Sequence, residues 1–230
     1  MSTNIQKEQW RYAKGGVIDV RMDAADRITE IEQMLGDLKG KAPGTLRNEV
    51  NAAARKSRTR LHQQAKKVYV SKEYHYKNEL QIRKATISTL TARLRTSGER
   101  TALSKHKVSP VRLAHGKDRP KQYKAKVLKQ SSLEAIRDGD LRSFLVRFKS
   151  GHLALVQRNP KEKYEYPEKR IQKYGFGADL SRIVEKRSLS IAEMLGSEKV
   201  YGVVEPEMGD LLQKEMERFV QKTIDREAKK

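Results

Sequence analysis

The chain has 230 residues, with 50 Lys plus Arg against 29 Asp plus Glu, a net charge of +21 and no cysteine. That composition excludes disulfides, thiolate metal sites, iron-sulfur clusters and thiol nucleophiles, and no stretch approaches the roughly 20 apolar residues of a membrane helix. A sequence pI near 10.1 points to polyanions or acidic protein faces as partners.

The charge is concentrated. Residues 41–130 hold 24 basic and 5 acidic side chains, a net +19, whereas residues 1–40 carry −1 and residues 131–230 carry +3. One face or rim meeting negative charge is the expectation from such asymmetry. Residues 1–14, which include the sole tryptophan, Trp10, read as an N-terminal extension. They lack the apolar run of a secretory signal, so the expected starting compartment is the cytosol. From residue 15 to 230 a single α+β domain is expected.

After Gly15-Gly16, residues 17–22 read as a strand, with Ile18, Val20 and Met22 on one face and Asp19 and Arg21 on the other. Ile28, Ile31, Met34, Leu35 and Leu38 recur at helical spacing over 24–38. The longest helix is predicted over about 45–68, with Thr45 as N-cap and Leu46, Val50, Ala53, Ala54, Leu61, Ala65 and Val68 as the packed stripe. Its flanks carry Arg55, Lys56, Arg58, Arg60, Lys66 and Lys67, the candidate residues for facing DNA or an acidic partner. A shorter helix over 73–84 and a two-period strand over 86–95 follow.

Residues 98–121 are expected to form a long loop that orders on assembly, and 122–130 another strand. The clearest hairpin is 143–158. A two-residue turn at Ser150-Gly151 places Phe148 opposite Leu153 and Val146 opposite Leu155, with Arg147, Lys149, His152 and Ala154 on the other face. A second polar loop spans 159–186, with Tyr164, Tyr166, Tyr174 and Phe176 among charges; these aromatics suit base stacking or, as favoured here, a protein partner. Ser190-Ile191-Ala192-Glu193 is a capping box stopped by Gly196, and an amphipathic helix after Pro206 closes the chain. The predicted architecture is thus an antiparallel sheet of about 4 to 6 strands packed against the long basic helix, with amphipathic helices at both ends.

No catalytic constellation is legible. His62, His75, His106, His115 and His152 show no metal-ligand spacing, and His62 and His152 are expected at the surface. There is no GxSxG elbow, P-loop or GxGxxG fingerprint. The expectation is a non-enzyme without catalytic residues, metal or cofactor.

Phe144-Leu145-Val146-Arg147-Phe148-Lys149-Ser150-Gly151-His152, with Leu155-Val156-Gln157-Arg158 returning, resembles the hairpin of the minor tail protein Z family of long-tailed bacteriophages. Ser190 to Gly196, Val200 and the Leu211–Ile224 helix resemble that family's C-terminal signature, and Ala42-Pro43-Gly44 and Val108-Ser109-Pro110 also fit. The resemblance spans about residues 16–228; the 159–182 segment is longer than in the family, and Leu189 stands where such proteins often have Pro. It implies a structural virion protein, made in the host cytoplasm and placed at the head-proximal end of the tail. It implies a homo-oligomeric ring, hexameric or dodecameric, that completes the tail and joins it to the head-neck connector. Implied partners are a tail terminator or tail tube protein, a head-completion or connector protein and genomic double-stranded DNA, with no membrane. Phe148, Ser150, Gly151 and His152 form the candidate assembly hairpin. The alternative is a cytosolic, sequence-independent nucleic-acid-binding protein, for which the +19 segment is the motive.

Overall fold

The sheet that receives the long helix is built from four antiparallel strands in the order β1-β2-β4-β3. The computed structural model describes residues 5–12, 15–71, 76–114, 118–138, 141–177 and 179–229. Glu73, where the sequence starts a helix, and Gly116-Lys117 in the expected loop lie outside the described residues. The strands are β1 (Ile5–Tyr12), β2 (Gly15–Asp23), β3 (Gln81–Arg83) and β4 (Thr91–Glu99). Ile18, Val20 and Met22 turn inward with their cross-strand neighbours Thr96, Leu94 and Ala92, as two-residue periodicity requires.

Over that inner face lie α2 (Ala42–Val68), α5 (Ile191–Leu195) and α6 (Val203–Glu227), with α1 (Ile28–Leu35) packed on α2 and α6 and α3 (Tyr76–Glu79) on α2 and α5. The two long helices run antiparallel, as shown by Lys41–Glu227 (2.5 Å), Thr45–Thr223 (3.1 Å) and Arg60–Glu207 (3.4 Å) along their length. Leu46, Val50, Ala53, Leu61 and Ala65 of α2 are buried, as are Met208, Leu212, Met216 and Val220 of α6. Asn51 reaches from α2 to clamp the turn before β4, donating to the Ala85 carbonyl (3.0 Å) and accepting from its amide (2.8 Å).

The chain divides into two compact units, not the single domain expected from residue 15. The first comprises 1–69, 74–100 and 189–230; the second comprises 70–73 and 101–188. Unit 2 contains two antiparallel sheets. One has the order β5-β6-β7, from β5 (Lys107–Ser109), β6 (Lys124–Lys126) and β7 (Glu134–Ala135). The other has the order β11-β10-β9-β8, from β8 (Arg137–Asp138), β9 (Leu141–Arg147), β10 (Leu153–Lys163) and β11 (Ser181–Glu185). They share a core of Val108, Tyr123, Ala125, Phe144, Leu145, Leu155 and Val156.

The α+β class therefore holds, while the hairpin belongs to unit 2 and not to the sheet under α2. Five details differ from the sequence expectation. Residues 5–12 are no extension: they form β1 and pair with residues 15–22 of β2, with Trp10 opposite Val17. Helix α2 begins at Ala42 with Pro43 in its first turn, which suits proline's fixed φ and missing amide, so Thr45 is internal. The 73–84 stretch splits into α3 and β3, and the 86–95 strand starts only at Thr91 because Thr86, Ser88 and Thr89 hydroxyls close a local turn. Both expected long loops hold structure: β5 lies in the first, and the end of β10, α4 (Pro167–Tyr174) and β11 lie in the second.

The fifth difference is register. Val146 faces Ala154, Leu145 faces Leu155 and Arg147 faces Leu153, one residue off the expected pairing. The loop has three residues, not two: Gly151 donates to the Phe148 carbonyl (2.9 Å), and Gly151 itself has φ +84°. This is a type I turn followed by a left-handed residue, and a one-residue slip exchanges the faces of a strand.

Candidate functional site

Six cations on one helix do not make one face. Successive residues of an α-helix are turned by about 100°, so Arg58 stands about 160° away from Lys56. Lys56 and Arg60 point to α6, where Lys56 pairs with Glu215 and Arg60 with Glu207. Glu215 is also held by Arg218 (2.6 Å) from its own helix. Arg58 is half-buried, and its Nε has no hydrogen-bond partner among the described residues. Arg55, Lys66 and Lys67 are exposed. The six candidate cations are thus divided, with Lys56 and Arg60 paired to carboxylates of α6.

The buried face of α2 also carries an acid. Glu49 is fully buried, 3.7 Å from the Arg27 guanidinium, with neither carboxylate oxygen hydrogen-bonded among the described residues. Burial raises its pKa to about 8, with Arg27 opposing and Glu30 and Glu215 assisting, so the carboxyl is protonated at neutral pH. The signal was present: Glu49 falls three residues after Leu46 and four before Ala53, on the apolar stripe.

The four candidate hairpin residues do come together. The Phe148 and His152 rings stack across the loop at 6.0 Å and 10°. His152 Nε2 lies 2.8 Å from Glu185 Oε1 on β11, tying the tip to the neighbouring strand. Ser150 and Gly151 are exposed at the turn, as is His152, whereas His62, also expected at the surface, is half-buried with its ring edge-on to Tyr76.

At the far end of β10 is a second surface. Arg170 of α4 lies between Tyr164 (4.4 Å) and Tyr174 (5.3 Å), and Lys169 covers Tyr166 (4.8 Å). Tyr166, Tyr174 and Phe176 are 58%, 60% and 98% exposed, a concentration of aromatic surface. Nearby, a cavity of about 700 Å³ has the Phe144 ring in its wall, covered by the Arg119 guanidinium at 4.1 Å. Arg158 there pairs with Asp179 (2.6 Å) and donates to the Ser181 carbonyl (2.9 Å). Partial burial pushes the Asp179 carboxyl up, but the Ser181 hydrogen bonds and the charges of Arg158 and Arg170 outweigh it, leaving the pKa below the usual range.

Among the described residues no group of three His, Asp or Glu could hold a metal ion. No family model, curated protein or solved structure matches this chain.

Proposed function

We propose that this protein is a structural component of a tailed-phage virion, forming a closed ring at the head-proximal end of the tail that completes the tail and joins it to the head-neck connector around the DNA channel. One observation carries the reading beside the family resemblance. β10 has two unlike, partly exposed aromatic surfaces at its ends: the Phe148–His152 tip and the Tyr166, Tyr174, Phe176 patch. Ten residue steps of strand separate those ends by about 30 Å. A ring requires such a pair, because each subunit offers one surface and receives a different one from its neighbour.

Light scattering and negative-stain imaging of the purified chain test this. The expected particle is a discrete ring of six or twelve subunits. A variant with Tyr166, Tyr174 and Phe176 replaced by Ser, and one with Phe148 and His152 replaced by Ser, should each be monomeric with unchanged helix content. Mixed together they should form dimers, since one intact junction remains. A wild-type chain that stays monomeric alone and with purified tails overturns the proposal. The +19 segment favours a second reading, a cytosolic nucleic-acid-binding monomer, which would bind DNA with a steep salt dependence and form no ring.

A further inference from the structure

We propose that the outward face of the unit 1 sheet is a binding site for phosphate groups, presented by Arg21, Arg93 and Arg83 in one row across three strands. The register places Arg21 opposite Arg93 on β2 and β4, and Arg83 opposite Arg93 on β3 and β4. Directly opposed residues share a face with Cβ atoms about 4.5–5.5 Å apart. The alternate residues Val20, Met22, Ala92 and Leu94 are buried on the helix side, so the arginines project away from the helices.

Like charges in direct cross-strand opposition cost stability, and a face needing only solubility has no reason to carry them. The adjacent row shows the ordinary solution: Glu8, Asp19, Arg95 and Gln81 mix their signs. Among the described residues the arginine row has one carboxylate contact, Glu8, 3.8 Å from Arg21, and Arg83 and Arg93 have no ion-pair partner. The Arg21 Nε is buried and has no hydrogen-bond partner among the described residues. The row borders an open cavity of about 520 Å³ whose rim adds Lys84 and Thr89. Two carboxylates also line it. Asp23 accepts the Ala25 amide (3.0 Å) and so caps the turn leading to α1, and Asp26 is also engaged.

Guanidinium forks match phosphate oxygens in pairs, which a single ammonium does not. The row spans two inter-strand spacings, about 10 Å, the length of about three steps between successive phosphates of one strand at about 3.4 Å of helix axis each. Backbone phosphates of a nucleic acid are the ligand this spacing fits. The site stands on the sheet's own geometry and holds whether the chain is a ring or a monomer.

The test is fluorescence anisotropy with a labelled 20-base-pair duplex over a salt series. It compares wild type, the row variant Arg21→Gln/Arg83→Gln/Arg93→Gln, and a charge-matched helix variant Arg55→Gln/Lys66→Gln/Lys67→Gln. The row variant should keep its circular dichroism spectrum and melt no lower than wild type, because opposed charges are removed. It should bind DNA at least tenfold more weakly, with a salt slope shallower by about 2 to 3, as three lost phosphate contacts imply. The helix variant should change affinity less. Pyrophosphate should displace the duplex more effectively, per charge, than poly-glutamate. Tight pyrophosphate binding without duplex binding would assign the same site to a small phosphorylated ligand. Equal DNA binding by both variants, or displacement by poly-glutamate as effective as by pyrophosphate, would overturn the proposal.

Discussion

Replacing Glu49 by Gln isolates the buried acid on the inner face of α2. The wild-type carboxyl holds its proton up to about pH 8 when folded and releases it near 4.5 when unfolded. Its folded pKa is raised, so its contribution is full below about pH 4.5 and is lost as pH rises to about 8. Each unit of pH in that window removes about 1.4 kcal/mol, which amounts to about 3 kcal/mol by pH 7. Gln has the same outline and no proton to take up. The variant should therefore match wild type near pH 5 within about 1 kcal/mol and exceed it by about 3 kcal/mol at pH 7. Urea unfolding followed by tryptophan fluorescence suits the measurement, because the sole tryptophan, Trp10, lies in β1 of unit 1. A difference that stays constant from pH 5 to 8, or a variant less stable than wild type at pH 8, would refute the assignment of Glu49 as a neutral buried acid.

Unit 2 should respond to pH in the opposite sense. His106 is fully buried beside the Val70 carbonyl (2.6 Å), and burial holds its pKa below the ordinary 6.5 against the effect of that carbonyl. Its contribution is present above pH 6.5 and is lost as pH falls, so amide protection in β5 and β6, corrected for intrinsic exchange, should drop on acidification and not in His106→Asn. Gly151→Val should cost about 1–2 kcal/mol from the left-handed backbone alone, because nothing lies within 4 Å of the added Cβ; Gly151→Asn should cost less in the same thermal melt. Ser190→Ala should cost about 1 kcal/mol in urea unfolding, because Ser190 Oγ accepts the Glu193 amide (3.1 Å) at the start of α5 while the Glu193 carboxylate accepts the Ser190 amide (2.8 Å). An unchanged midpoint would mean water replaces the cap.

Legibility followed the range of the interaction that decides each feature. The 190–193 capping box and the Gly196 stop are set within a few residues, and the structure has them as read; α6 buries Met208, Leu212, Met216 and Val220 of its expected stripe but starts at Val203, so that Pro206 lies inside the helix and not before it. The same stripe logic on α2 located the packed positions but passed over Glu49, because a charged residue is ordinarily read as solvent-facing. The hairpin was legible as a hairpin. Its register was not, since a two-residue and a three-residue loop fit the same Lys149-Ser150-Gly151 letters, and only the Phe148–Gly151 and Phe148–His152 backbone bonds select between them. The arginine row was invisible for a related reason: Arg21, Arg83 and Arg93 lie far apart in the chain and become neighbours only through two strand pairings.

By itself the sequence determined the α+β class, the positions of the long helices, the capped turn at Ser190 and a strongly cationic middle, all of which arise from periodicity, local hydrogen bonding and summed charge. Tertiary structure decided that β1 completes the first sheet, that the hairpin belongs to a separate unit, and that Lys56 and Arg60 are neutralised while Arg21, Arg83 and Arg93 are left side by side. The physical reason is that charge and burial act through space: a side chain's partners depend on which strands and helices meet, and that is settled by contacts between residues distant in the chain.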